Sequence, residues 1–199
     1  TSIVAQNYLN LAAEYGLSTF NRTHQLLLNY NYELPFGDRK RFLNHGGGLE
    51  RAFGNWQVSG VTTLESGTPY TAQMLGNVSA TAGGGAYFSL RASATGLPVT
   101  VPSFERTTLD YFNTAAFTLP PAGELGNAGR DTIPGPPTSS FNLSLDRQMV
   151  FSRERGINGD FRIAANNVFN TPNFTGIATV VNATNFGRVT SVAGMRTVC

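Results

Sequence analysis

The chain has 199 residues, of which 13% are charged, against roughly 25% in ordinary soluble domains. Its formal net charge is +2, with the basic residues scattered, which excludes an electrostatic partner such as nucleic acid. The one cysteine, Cys199, excludes an intrachain disulfide and a cysteine metal site, and no apolar run is long enough for a membrane helix.

Residues 1–20 carry a weak helical rhythm (Tyr8, Leu11, Ala12, Tyr15) that stops at Gly16, predicting a surface loop with one or two helical turns. From Gln25 to Leu34 the pattern changes to period two. Leu26, Leu28, Tyr30, Tyr32 and Leu34 alternate with Gln25, Asn29, Asn31 and Glu33, and only Leu27 breaks the rule. This length suits the roughly 9–11 residues of a tilted membrane strand better than the usual soluble strand of about 5–6. Pro35 ends the run. Between 36 and 54 a turn collects Arg39, Lys40, Arg41 and Arg51, read as a solvated turn rather than an anion site. His45 stands among glycines with no second ligand nearby, so no metal is expected. Asn55–Glu65 predicts a second strand, with Trp56, Val58, Thr62 and Leu64 opposite Gln57, Ser59, Thr63 and Glu65. Trp56, at its start, is where an interfacial aromatic belongs in a membrane barrel; in a soluble sandwich it would be core.

Residues 66–140 show only short strand possibilities, at Tyr70–Met74, Tyr87–Arg91 and Val99–Val101. So long an irregular stretch fits a compact soluble domain poorly and a large outer loop well, and it is expected to be the least ordered part of the chain. Gly123, Gly126 and Gly129 read as loop glycines, because no apolar strand precedes them and no helix follows. Ser139 and Ser140, with only His24 and His45 available, suggest no catalytic triad, and the chain is read as non-enzymatic. Tyr87, Phe88, Tyr111, Phe112 and Arg130 are the loop residues best suited to hold a solute, by stacking and a guanidinium fork. The alternative is that they pack the loop against itself.

Two further strands are predicted on either side of a polar turn at 152–158. In the first, Phe141, Leu143, Leu145, Met149 and Phe151 alternate with Asn142, Ser144, Asp146 and Gln148. In the second, Phe161, Ile163, Ala165 and Phe169 alternate with Asp160, Arg162, Ala164 and Asn166. Arg147 falls on the apolar face near a strand end, where its stem can carry the charge to lipid headgroups. A loop at 170–185 follows, and Phe186–Val192 is read as the start of a further strand. Such alternation fits both a half-buried soluble sheet and a barrel wall, and the alternation of long and short connections favours the barrel. Leu28, Tyr30, Val58, Leu143, Leu145 and Ile163 are then expected toward lipid, and Asn29, Ser59, Ser144 and Arg162 toward the lumen.

The runs HQLLLNYNYELPFG, GNWQVSGVTTLESGTPY, YFNTAAFTLPPAGELGNAGRDTIPGP, FNLSLDRQ, FRIAANNVFNTPNF and NFGRVTSVAGMRTV together resemble the C-terminal barrel region of TonB-dependent outer-membrane receptors. They are similar in particular to the Oar-like group, which carries a carboxypeptidase-regulatory-like domain. The resemblance covers most of residues 20–198. It implies an all-β fold, in which antiparallel strands form part of a transmembrane outer-membrane β-barrel with long extracellular loops. Residues 1–199 are then a partial C-terminal barrel segment without the plug domain or the final strand, a piece of something longer. Barrels of this kind have about 22 strands, so four or five strands should leave a curved, open sheet. The implied function is import of a scarce or large solute, with no cofactor. The implied partners are outer-membrane lipid, the rest of the barrel and its plug, and TonB indirectly through the missing N-terminal region. The reading from another class is a secreted carbohydrate-binding or adhesive β-sandwich, which uses the same Asn, Thr, Gly and loop aromatics.

Overall fold

The computed structural model describes residues 5–37, 40–43, 47–48, 53–76, 90–152 and 155–199. Strands form where the sequence alternates. Gln25–Glu33 (β1) and Trp56–Glu65 (β2) come first, then three two-residue strands, Pro69–Tyr70 (β3), Ser93–Ala94 (β4) and Phe117–Thr118 (β5). Ile133–Pro134 (β6), Thr138–Ser152 (β7), Ile157–Asn166 (β8), Phe174–Ile177 (β9), Val189–Val192 (β10) and Thr197–Val198 (β11) complete the order. Short 3-10 turns occupy Leu11–Glu14 and Thr114–Ala116. Among the described residues no helix is long and apolar enough to cross a membrane.

The chain divides into two compact units. The sheet unit comprises Gln25–Glu65, Ser139–Pro172 and Gly194–Cys199. Its five-stranded sheet has the order β1-β2-β7-β8-β11 and is open, with β1 at one edge. Pairing is antiparallel between β1 and β2, between β7 and β8, and between β8 and β11. The register keeps like with like. Leu28 faces Thr62, Tyr32 faces Val58, and Leu145 faces Ile163 on one side; Asn31 faces Ser59, Glu33 faces Gln57, and Asp146 faces Arg162 on the other. A slip of one residue would exchange the two faces, so the alternation itself fixes the register. Tyr30 lies opposite Gly60, and a Cβ there would sit 2.6 Å from the tyrosine ring and 2.7 Å from the Asn142 carbonyl oxygen. The ring covers the glycine and restores the packing that a missing side chain removes.

The apolar rows of this sheet are not covered. Leu26, Leu28, Tyr30 and Tyr32 are 46%, 49%, 41% and 59% exposed, and Phe161 and Ile163 are 44% and 41% exposed. A sandwich would bury one such face of each sheet.

The loop unit comprises Thr1–His24, Ser66–Thr138 and Asn173–Ala193. Where it is described, 66–140 packs a core of its own: its residues supply most of a buried cluster of Ala72, Ala92, Tyr111, Phe112, Ala116, Phe117, Ala128, Ile133 and Ile177. Phe112 meets Phe117 and Phe186 edge-on, with ring centroids 6.1 and 5.3 Å apart. Aromatic packing and close backbone contact replace regular strands here. A Cβ on Gly126 would collide with the carbonyl oxygens of Arg91 and Ala92, and only glycine permits that approach.

Several boundaries differ from the sequence reading. Phe186–Val192 does not start a spanning strand; only Val189–Val192 is extended, and it pairs with β9, inside the stretch expected to be a loop, in a separate two-stranded sheet. The fifth strand of the large sheet is β11 instead. Val99–Val101 is not a strand, and Tyr70–Met74 is reduced to β3 and a bridge at Gln73. β7 starts at Thr138, three residues before the alternating run, because backbone pairing is indifferent to side-chain pattern.

Candidate functional site

The polar face of the large sheet is a connected lattice. The Ser59 and Ser144 hydroxyls lie 2.7 Å apart, and Ser144 donates to Asp146 Oδ2 at 2.7 Å. Arg162 Nε lies 3.1 Å from Asp146 Oδ1. Gln57 Nε2 donates to Asn31 Oδ1 at 2.6 Å, and Lys40 pairs with Glu33. Adjacent strands stand about 4.8 Å apart, so residues level with one another on one face reach each other with short side chains. A groove of about 560 Å³ runs here, lined by Glu33, Lys40, Gln57, Asp146, Gln148, Asp160 and Arg162, and by Trp56, Arg147 and Phe161. Those last three interleave with the polar residues, so the pleat turns their side chains to the opposite face.

On that opposite face Arg147 stands over the Trp56 ring, 5.5 Å from its centroid. Phe161, the cross-strand partner of Arg147, meets Trp56 edge-on at 5.9 Å. The polar lattice can hydrogen-bond water or a polar solute along its length. Asp146 is paired with Arg162 and Glu33 with Lys40, and among the described residues no group of three or more His, Cys, Asp or Glu is placed to hold a metal.

The loop unit holds a second polar cluster, and it is buried. Arg91 is 4% exposed and Asp131 2%. Arg91 Nη2 lies 3.2 Å from Glu14 Oε1, and Arg130 Nη1 lies 3.6 Å from Glu14 Oε2. Thr71 donates to Asp131 Oδ1 at 2.8 Å and accepts from the Asp131 N–H at 2.9 Å. Gln6 bridges two strands' worth of backbone, accepting from the Arg91 N–H at 2.7 Å and donating to the Gly126 carbonyl at 2.9 Å. Burial lowers the Arg91 pKa, Glu14 opposes that shift, and Arg130 adds to it. Arg91 stays cationic because its ordinary value is so high.

Of the five residues singled out in the sequence, the structure describes Tyr111, Phe112 and Arg130. Tyr87 and Phe88 lie outside the described residues. Phe112 is 2% exposed and Tyr111 6%, both inside the loop core, with Arg106 over the Tyr111 ring at 5.5 Å. Arg130 belongs to the buried ion cluster. These placements support the alternative that such residues pack the loop against itself. Sequence reasoning singled out neither Lys40 for the groove nor Gln6, Glu14, Arg91 and Asp131 for the buried cluster. The groove acids could be read from the wet side of the alternation, whereas the cluster is assembled from distant positions without a shared period.

A family model described as outer membrane beta barrel domain matches residues 1–198. The chain belongs to that family. Its antiparallel sheet is part of a transmembrane barrel, and its place is the cell outer membrane. No curated protein matches the chain, and no solved structure does. As an outer-membrane barrel the sheet gains a physical reason for its exposed apolar rows, since lipid is the solvent such rows require.

Proposed function

We propose that this chain is a wall segment of a TonB-dependent outer-membrane receptor that imports a scarce or large solute. The single observation that carries the wall reading is the division of the open sheet: one face is a bonded polar lattice and the other an uncovered apolar row. The polar face lines the lumen and the apolar face meets lipid. Residues 1–199 are a partial C-terminal barrel segment; the rest of the barrel, its plug and the TonB-contacting region come from outside this chain. The sequence runs similar to TonB-dependent receptors support the transport class, and the open edges of the sheet support completion by further strands.

The wall reading is tested with nitroxide labels at 144 and 145 in the chain reconstituted in vesicles. Lipid-dissolved oxygen should relax the label at 145 and a water-soluble nickel chelate the label at 144; equal lipid contact at both sinks the assignment. The TonB part is tested separately, by solute uptake through the intact receptor in cells with and without TonB. Undiminished uptake without TonB removes that part and leaves the wall.

A further inference from the structure

A surface segment in water tucks its apolar side chains inward and leaves its polar groups to solvent. Residues 5–21 of the loop unit do the opposite. Gln6 is buried, and its side chain accepts from the Arg91 N–H and donates to the Gly126 carbonyl. The Gln6 N–H donates to Glu14 Oε1, and the same carboxylate pairs with Arg91 and Arg130. Arg91 Nη1 donates to the Ala13 carbonyl at 2.9 Å. At Gly16 a Cβ would stand 2.6 Å from the Arg130 carbonyl oxygen, so backbone lies directly on backbone there.

What this strap turns outward is apolar. Tyr8, Leu9, Tyr15 and Phe20 are 81%, 80%, 92% and 88% exposed, each more than any of Leu26, Leu28, Tyr30 or Tyr32 in the uncovered row of β1. Glu14 is the one charged residue between positions 5 and 21, and its carboxylate is directed inward to Arg91 and Arg130, so the outward side carries no charge. Tyrosine and phenylalanine rings with leucines, accompanied by the uncharged Asn10 and Ser18, suit the level where hydrocarbon meets headgroups. Along the chain the strap leads into β1, whose apolar row meets lipid in the wall.

From this we infer that residues 8–20 are an interfacial anchor, with Tyr8, Leu9, Tyr15 and Phe20 set into the boundary between lipid headgroups and acyl chains. The inference rests on the wall reading above. The polar ties of Gln6 and Glu14 fix the strap's backbone on the loop core, so the rings and leucines meet the membrane already ordered. The tyrosine hydroxyls stay at headgroup level while their rings enter apolar surroundings. The strap thereby holds the loop unit at the membrane surface.

Trp56 is the only tryptophan of the chain, so Trp56→Phe gives a background into which a single reporter can be placed. In that background Tyr15→Trp or Phe20→Trp, as the full chain, is refolded into phosphatidylcholine vesicles whose lipids are brominated either near the headgroup or at the acyl end. Leu145→Trp, on the wall, serves as the reference. The apolar face of an interfacial segment sinks roughly 5–10 Å into the boundary, so shallow bromines should quench positions 15 and 20 about twice as strongly as deep ones. Both positions should also be shielded from acrylamide in the water. Should one reporter fail to insert, the other decides the matter. Quenching of Leu145→Trp by lipid while positions 15 and 20 stay open to acrylamide overturns the anchor and leaves the wall standing. Shielding of the two positions from bromine and acrylamide alike would mean that protein covers the strap, and overturns the anchor too. Stronger quenching by the deep bromines would sink the strap into hydrocarbon and overturn its interfacial level. Absence of lipid quenching at Leu145→Trp overturns the wall reading and this inference with it.

Discussion

Among the described residues, every buried apolar side chain lies in the loop unit, which has the shorter strands, while the side chains buried in the unit with the long strands are the polar ones of Thr62, Ser144 and Asn167. In water the hydrophobic effect gathers apolar side chains inward, and the loop unit obeys it through its aromatic cluster. The sheet unit reverses the arrangement: its backbone is paired in long antiparallel strands, and its apolar rows are left outward. The difference teaches that regular secondary structure and a buried core are separable. A strand in a membrane wall needs its backbone bonds because lipid offers none, and it needs no core because lipid accepts its side chains.

The sharpest way to break this comparison is to hollow the loop core. Phe112→Ala should destabilise the loop unit by about 3–5 kcal/mol, as for other buried phenylalanines. Urea-dependent proteolysis within 90–138 should shift accordingly while the far-UV signal of the sheet persists; coincident loss of both would show that the two units fold as one. Next in size is a charge on the wall. Leu145→Arg should cost about 2–4 kcal/mol if the side chain lies near the midplane, measured by reversible unfolding in lipid vesicles. A cost close to zero would place position 145 in water.

A smaller effect is expected on the opposite face. Ser144 is 8% exposed and bonded to both Ser59 and Asp146, so Ser144→Ala should cost about 1 kcal/mol, the net worth of such a bond. The same unfolding assay, combined with Asp146→Asn in a double-mutant cycle, should return a coupling energy; strict additivity would dissolve the lattice into independent contacts. The smallest effect is a pH slope in the loop unit. Burial raises the Tyr111 pKa, and the nearby Arg106 offsets part of that. The folded state therefore holds the phenolic proton more tightly than the unfolded chain, and stability should decline as pH rises from about 10, the ordinary tyrosine value, toward the folded one. Tyr111→Phe should flatten that decline, and an unchanged slope would assign it to another group.

Much of the sheet was legible in the residues. Gln25–Glu33 and Trp56–Glu65 emerge within a residue of their expected bounds, and the split of Leu145 and Ile163 from Ser144 and Arg162 follows the alternation. A period of two survives any tertiary context that keeps the strand extended. The candidate groove was half legible, since Asp146, Gln148, Asp160 and Arg162 lie on the wet side of the pattern, while Lys40 reaches it from a turn. The loop unit was not legible. Phe112 and Phe186, or Arg91 and Glu14, are brought together from positions with no common period.

The sequence by itself determined the extended strands, their two-faced character and the depletion of charge that suits a membrane wall, because each is a local or compositional property. Only the tertiary structure decided that Tyr111 and Phe112 serve a core, that Arg130 joins a buried ion cluster and that Arg147 rests on Trp56. Those outcomes depend on which distant segments share one volume, and contacts of that kind are chosen by the packing of the whole unit rather than by any pattern along the chain.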